Sequence, residues 1–256
     1  MLTRLYWLLS DQIGIDPRKT LRSVLGLPRY MRDFLRFRSG YAGRIELLPC
    51  LQDWYEEGGM TKSEYFWQDL LVARSIFKAN PEKHVDVGSL VHGFVAHVAS
   101  FREIEVFDVR AVSTQIPGII FKQADLMQPA PEMTDYCDSL SCLHALEHFG
   151  LGRYGDPVDP GGFERGLANM AALVKKGGVF YLSVPIGSAR VEFNGQRVVE
   201  PQVVIQLARA NSLELRELTL IRHGGEVEVL LPDAARLSEL ARQRYVLGMF
   251  TFAKHA

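Results

Sequence analysis

Long uncharged apolar runs are missing from this sequence, and none approaches the roughly 20 residues that a membrane-spanning helix requires. Cysteine is scarce: Cys50, Cys137 and Cys142 are the only three, and no C-x-x-C pair exists. That argues against a disulfide framework and a zinc ribbon, and makes a reducing cytoplasm the simplest setting. The opening MLTRLYWLLSDQIG carries a short apolar patch with no small-residue cleavage site behind it, so a secretory signal is not expected. Net charge is nearly absent, with 29 Lys and Arg against 30 Asp and Glu, which argues against a general nucleic-acid binder. There is no internal repeat and no low-complexity tract. The 47% apolar and 23% charged content is that of a folded globular chain, so disordered and fibrous classes are excluded.

The balanced charge is an average. Residues 1–44 hold nine basic and three acidic side chains, and the remaining residues hold 20 and 27. A basic head on an acidic body suggests contact with a membrane surface, an anionic carrier or a protein partner, or an oligomer contact. A charge stripe is more often a solvated face. Residues 1–80 read as a helical extension. Asp16-Pro17 is a helix start and Gly26 a stop, and Pro28 opens a second helix ending at Ser39-Gly40. In that second helix Arg29, Arg32 and Arg36 share one face, and Met31, Phe34 and Leu35 another. Thr61 to Glu64 form a capping box for a third helix, closed by Asn80-Pro81.

From residue 81 to 256 the rhythm changes to short apolar strands alternating with helices. Strands are predicted at 83–88, 104–109, 118–125, 136–143, 177–185, 213–222 and 245–254. A helix is predicted after the first strand, and others at 163–176, 201–211 and 233–243. This alternation predicts an α/β fold with a doubly wound, mostly parallel, Rossmann-like sheet. The first strand ends in Asp86-Val87-Gly88-Ser89, and the second ends in Asp108, 22 residues after Asp86. That spacing suits a nucleotide-type ligand, with close backbone approach after strand one and a carboxylate on ribose hydroxyls about 20 residues later. The glycine pattern G-S-L-V-H-G is not G-x-G-x-x-G, and no tyrosine has lysine four residues on, as a short-chain reductase would need.

The succession HVDVGSLVHGF, IEVFDVR, FKQADLM, LHALEH and LVKKGGVFYLSVP resembles the class I S-adenosylmethionine-dependent methyltransferases. The resemblance implies S-adenosylmethionine as cofactor. Asp86, Gly88 and Ser89 would lie by its methionine part, Asp108 by its ribose, and Asp125 and Leu126 by its adenine. Leu90 departs from the family pattern, standing where D-x-G-x-G has its second glycine. SEYFWQDLLVAR, LSCLHALEHFGLGRYGDPVDP and VEFNGQR are similar to a largely uncharacterised bacterial methyltransferase-like family associated with polysaccharide biosynthesis, in which a histidine is expected where Gln196 stands. That resemblance implies a methyl donor without naming the acceptor; the family's association with polysaccharide biosynthesis alone points to a sugar hydroxyl.

Past the fourth strand the sequence gathers His144, Glu147, His148, Arg153, Tyr154, Asp156 and Asp159. Methyl transfer to a hydroxyl needs alignment, exclusion of water and a base. His148 or His144 is the expected base, with Asp156 as orienter or alternative base. Arg153, Tyr154 and Asp159 would contact the acceptor. The bland alternative is a rigid loop whose Asp and Arg satisfy backbone groups. Two rival functions remain. One is a methyltransferase-like binding or scaffold protein without catalysis. The other is a zinc peptidase, since His144, Glu147 and His148 match H-x-x-E-H, which requires both histidines on one helix face.

Overall fold

The structure is a computed structural model that describes residues 2–56, 58–59 and 61–255. The chain forms two compact units, Met1–Met60 and Thr61–Ala256.

The first unit contains α1 (Leu2–Trp7) and α2 (Pro17–Gly40). Asp16 caps α2 by accepting from the Arg18 and Lys19 amides. The two helices expected within residues 16–40 are one helix of 24 residues that runs through Gly26 and Pro28. Gly26 serves close approach rather than termination. A Cβ there would sit 2.5 Å from the Leu51 carbonyl oxygen, where the returning chain crosses the helix. Gln52 donates to Ser23 beside it, at 3.0 Å. Pro28 forfeits one backbone donor, and the helix continues past it. Gly26 is the only buried residue among those described in this unit.

The second unit opens with α3 (Glu64–Ala79), capped by Ser63 and ended by Asn80 at φ 42°. Its eight-stranded sheet comprises β1 (His84–Val87), β2 (Ile104–Asp108), β3 (Ile119–Gln123), β4 (Cys137–Leu143), β5 (Val174–Ile186), β8 (Leu213–Arg222), β9 (Glu226–Leu230) and β10 (Val246–Lys254). The spatial order is β3-β2-β1-β4-β5-β10-β8-β9. The pairs β2–β3, β1–β2, β1–β4 and β4–β5 are parallel, and β10 is antiparallel to both β5 and β8. The remaining helices are α4 (Ala96–Ala99), α5 (Gly162–Leu173), α6 (Pro201–Ala210) and α7 (Ala234–Arg242), and β6 (Arg190–Glu192) pairs with β7 (Gln196–Val198) as a separate hairpin.

Two cores flank the sheet, as a doubly wound fold requires. Leu167 of α5, Val204 of α6 and Leu240 of α7 are buried in one. Val72 and Ile76 of α3 and Val98 of α4 are buried in the other. The division after residue 60 therefore differs from the expected boundary after residue 80 by α3, whose apolar face covers the sheet. The helix expected after β1 is interrupted: Val91–Val95 form a wider turn with Gly93 at φ −110°, ψ −105°, and only α4 follows as regular helix.

Candidate active site

Strand order places a crevice at the carboxyl ends of β1, β2 and β4, where the sheet's winding reverses. The cleft there encloses about 450 Å³ open to solvent. Gly88 follows β1, Asp108 ends β2 and Arg110 follows it, and Asp125 and Met127 follow β3. His144, His148, Tyr154 and Asp156 follow β4. Gly88 holds φ +71°, and a Cβ on it would come 2.9 Å from the Ala145 Cβ, so the loop's turn depends on the missing side chain.

Asp86 and Ser89 lie behind this wall rather than on it. Asp86 is fully buried and accepts from the Ser89 amide (3.0 Å), the Ser89 hydroxyl (2.6 Å) and the Ser141 hydroxyl (2.6 Å). Burial pushes its carboxyl up to about 6 against the pull of those hydrogen bonds. The Ser89 hydroxyl also accepts from the Leu143 amide at 3.1 Å, tying the loop to the end of β4. Leu126 is buried in the main core, and its neighbour Met127 lines the cleft.

Asp108 is at the cleft, but both its oxygens face Arg110. Oδ1 accepts from the Arg110 amide (2.8 Å) and Nε (3.0 Å), and Oδ2 from a terminal guanidinium nitrogen (2.8 Å). The Arg110 guanidinium lies 4.3 Å over the Tyr154 ring, which Arg153 also approaches at 5.1 Å. Asp125 accepts from the Met127 amide at 2.9 Å.

Residues 144–148 are not a helix. His144 stands just past β4 at φ +53°, its amide donating to the Ser183 carbonyl at 3.1 Å, and Leu146–His148 make one 3₁₀ turn. The shared helix face that H-x-x-E-H chemistry needs is therefore not formed. Instead His144 Nδ1 lies 2.8 Å from Glu147 Oε1, and its Nε2 lies 3.6 Å from Glu64. Among the described residues no group of three or more His, Cys, Asp or Glu is arranged to hold a metal ion. Burial opposes a charged His144, but the adjacent Glu147 carboxylate outweighs it and raises the imidazole above its ordinary value. Glu147 is itself fully buried, which favours its neutral form, yet His144 holds it below the usual carboxylate range.

His148 is set differently. Its Nδ1 lies 2.7 Å from the Gly195 carbonyl oxygen, at the tip of the β6–β7 hairpin. A carbonyl only accepts, so Nδ1 carries the proton and Nε2 keeps its lone pair. Burial lowers the His148 pKa, Glu147 offsets this in part, and the Arg153 guanidinium lowers it further. The ring is neutral at pH 7 and lines the cleft.

The remaining loop residues act on the backbone. Asp156 Oδ2 accepts from the Gly150 (2.9 Å) and Gly152 (3.3 Å) amides and Oδ1 from the Tyr154 amide (3.1 Å), so it braces the loop without touching His148. Asp159 pairs with Arg165 and accepts from the Gly161 amide, away from the cleft lining. Arg153 donates to the Gly195 carbonyl at 2.9 Å. Gln196 donates to Glu192 across the hairpin at 3.0 Å.

Arg197 is the residue that sequence reasoning missed. It is buried on β7 and donates to the carbonyls of Phe149 (2.5 Å), Glu147 (3.3 Å) and Pro160 (3.4 Å), clamping both ends of the loop. The available signal was a lone Arg inside the VEFNGQRVV hairpin, far along the chain from its partners. Arg197→Met is expected to cost about 2–4 kcal/mol in urea unfolding, because one buried and two part-buried carbonyls lose a charged donor. A loss under about 0.5 kcal/mol would contradict the clamp.

A family model described as "Caenorhabditis protein of unknown function, DUF268" matches residues 79–208. No curated protein matches the chain. Among solved structures, the chain is similar to 1,6-didemethyltoxoflavin-N1-methyltransferase of Burkholderia thailandensis, solved with 1,6-didemethyltoxoflavin and S-adenosylhomocysteine. The identity is 15% and the TM-score 0.50, over 74% of this chain and 81% of that one. It is also similar to the [4+2]-cyclase SpnF, at 13% identity and a TM-score of 0.51, over 73% and 82% of the two chains. At these identities the likeness is one of fold.

Proposed function

The chain belongs to the family described as Caenorhabditis protein of unknown function, DUF268, and from its site we propose that it is an S-adenosylmethionine-dependent methyltransferase acting on a hydroxyl acceptor, a sugar in bacterial surface-glycan synthesis. The observation that carries this reading is His148: a neutral imidazole whose Nε2 keeps its lone pair, on the wall of the strand-end cleft, with the Arg153 guanidinium 3.5 Å away as its nearest donor. The fold likeness to a methyltransferase solved with S-adenosylhomocysteine supports the donor. The sugar and the glycan setting rest on the sequence resemblance.

The cleft residues fit the donor. Gly88 leaves the loop after β1 bare of side chain, and Asp108 and Asp125 offer carboxylates at two strand ends. Gly88 would lie by the methionine part, Asp108 by the ribose and Asp125 by the adenine. When bound, S-adenosylmethionine supplies a methyl group made electrophilic by its sulfonium. His148 Nε2 takes the acceptor hydroxyl proton, while the Gly195 carbonyl holds Nδ1–H and the ring's orientation. Glu147 Oε1, 3.8 Å from His148 Nε2, stabilises the imidazolium that results. Arg153 and Tyr154 border the acceptor side.

One observation favours a second reading, in which the protein binds a ligand without transferring methyl: Asp108 has both oxygens engaged by Arg110. Calorimetry with S-adenosylmethionine separates the two. Binding is expected, and Asp108→Ala is expected to weaken it at least about tenfold, the worth of one charged hydrogen bond. Absence of heat at about 1 mM donor, an interaction weaker than ~4 kcal/mol, would overturn the enzyme reading.

A further inference from the structure

Helix α2 carries an apolar stripe that nothing in its own unit covers. Leu21, Val24, Pro28, Met31 and Leu35 recur at alternating spacings of three and four, which sets them along one face. Leu21 is 59% exposed, Val24 64%, Met31 42% and Leu35 61%. The rest of the unit meets another side of the helix: Ser23 bonds to Gln52, Gly26 abuts Leu51, and Arg29 lies 4.2 Å over the Trp54 ring. Beside the apolar stripe runs a basic one. Arg18, Arg22, Arg32 and Arg36 are all exposed on its flank. The helix as a whole holds seven basic residues and one acidic one, Asp33, already paired with Arg32 at 3.0 Å.

We propose that α2 lies in the plane of an anionic membrane surface, with Leu21, Val24, Met31 and Leu35 entering the interface and Arg22, Arg32 and Arg36 meeting lipid phosphates. A helix of 24 residues is about 36 Å long and presents its whole stripe at once. Charge argues against a second copy as the occupant. Self-pairing would set one arginine row against another with only Asp33 to offset it, whereas an anionic leaflet matches the row. No described helix is long and apolar enough to cross the bilayer, so the contact is superficial. This inference stands apart from the proposed reaction.

The test is co-sedimentation of the full chain with vesicles of phosphatidylcholine alone or with about one third phosphatidylglycerol, at physiological salt. Partitioning onto the anionic vesicles is expected to be at least tenfold stronger, since each basic residue near such a surface contributes about fivefold. Leu21→Ser with Leu35→Ser, and separately Arg22→Gln with Arg32→Gln and Arg36→Gln, are each expected to reduce it at least tenfold. These side chains are exposed, so folding is expected to be retained, and circular dichroism checks it. Equal partitioning on both vesicles, or none, would overturn the proposal. So would sedimentation equilibrium showing a dimer that the leucine variant dissociates, without vesicle binding.

Discussion

Alanine in place of His148 is expected to lower methyl transfer by about 10²–10⁴-fold, the usual worth of a positioned general base, without weakening S-adenosylmethionine binding. On the proposed assignment the two readouts diverge, because His148 would border the acceptor while Gly88, Asp108 and Asp125 would hold the donor. The pH profile provides a second check. Burial and Arg153 depress the His148 pKa below its ordinary 6.5. The wild-type rate should therefore be flat at neutrality and fall only as pH drops below that depressed value, where Nε2 becomes protonated. The variant should lose this acid limb. Turnover unchanged by the substitution would refute His148 as base. A limb centred above 6.5 would contradict the neutral, buried ring.

Gly150→Ala is expected to be the most damaging single substitution in the loop after β4. Gly150 holds φ +74°, and a Cβ added there would overlap the Asp159 carbonyl oxygen. The left-handed backbone alone costs an alanine about 1–2 kcal/mol. The overlap is with main chain, which cannot swing aside. The Gly150 carbonyl accepts from the Asp159 amide at 2.8 Å and its own amide donates to Asp156, so relief would break both bonds. A loss above about 4 kcal/mol in urea unfolding is expected. Gly155 is the control. It holds φ +83° with nothing within 4 Å of an added Cβ, so Gly155→Ala should cost only the backbone strain of about 1–2 kcal/mol. Similar losses at both positions would show that the loop is not clamped between Gly150 and Asp159.

The strands were legible because each buried strand reads as a short apolar run. His84–Val87, Ile104–Asp108 and Leu213–Arg222 fall within one or two residues of the ranges read from sequence. Gly88, Asp108, Asp125, His144, His148, Tyr154 and Asp156 are legible in the sequence as candidates, and they meet at one cleft. What local sequence hid was set by distant contact. Gly26 and Pro28 look like punctuation until Leu51 is seen crossing the helix. The H-x-x-E-H string looks helical, but Ser183 holds the His144 backbone at positive φ and Glu147 turns back onto His144. Asp108 was readable as a strand-end acid, whereas its engagement by Arg110 depends on how the chain turns two residues later. The β6–β7 hairpin contains Phe193, Asn194 and Gly195, which read as loop, and its strands of three residues give too short a pattern to detect.

The Gly195 carbonyl has a consequence for how this site can drift over generations. A histidine tautomer held by a neighbouring side chain is lost when that neighbour mutates. Here the acceptor is main chain, present whichever residue occupies position 195, provided the hairpin keeps its path. The His148 tautomer is therefore insulated from substitutions at the hairpin tip that preserve its shape and vulnerable to those that alter its length. Descendant sequences should vary freely at Phe193, which is 74% exposed, yet admit no insertion or deletion between Glu192 and Gln196.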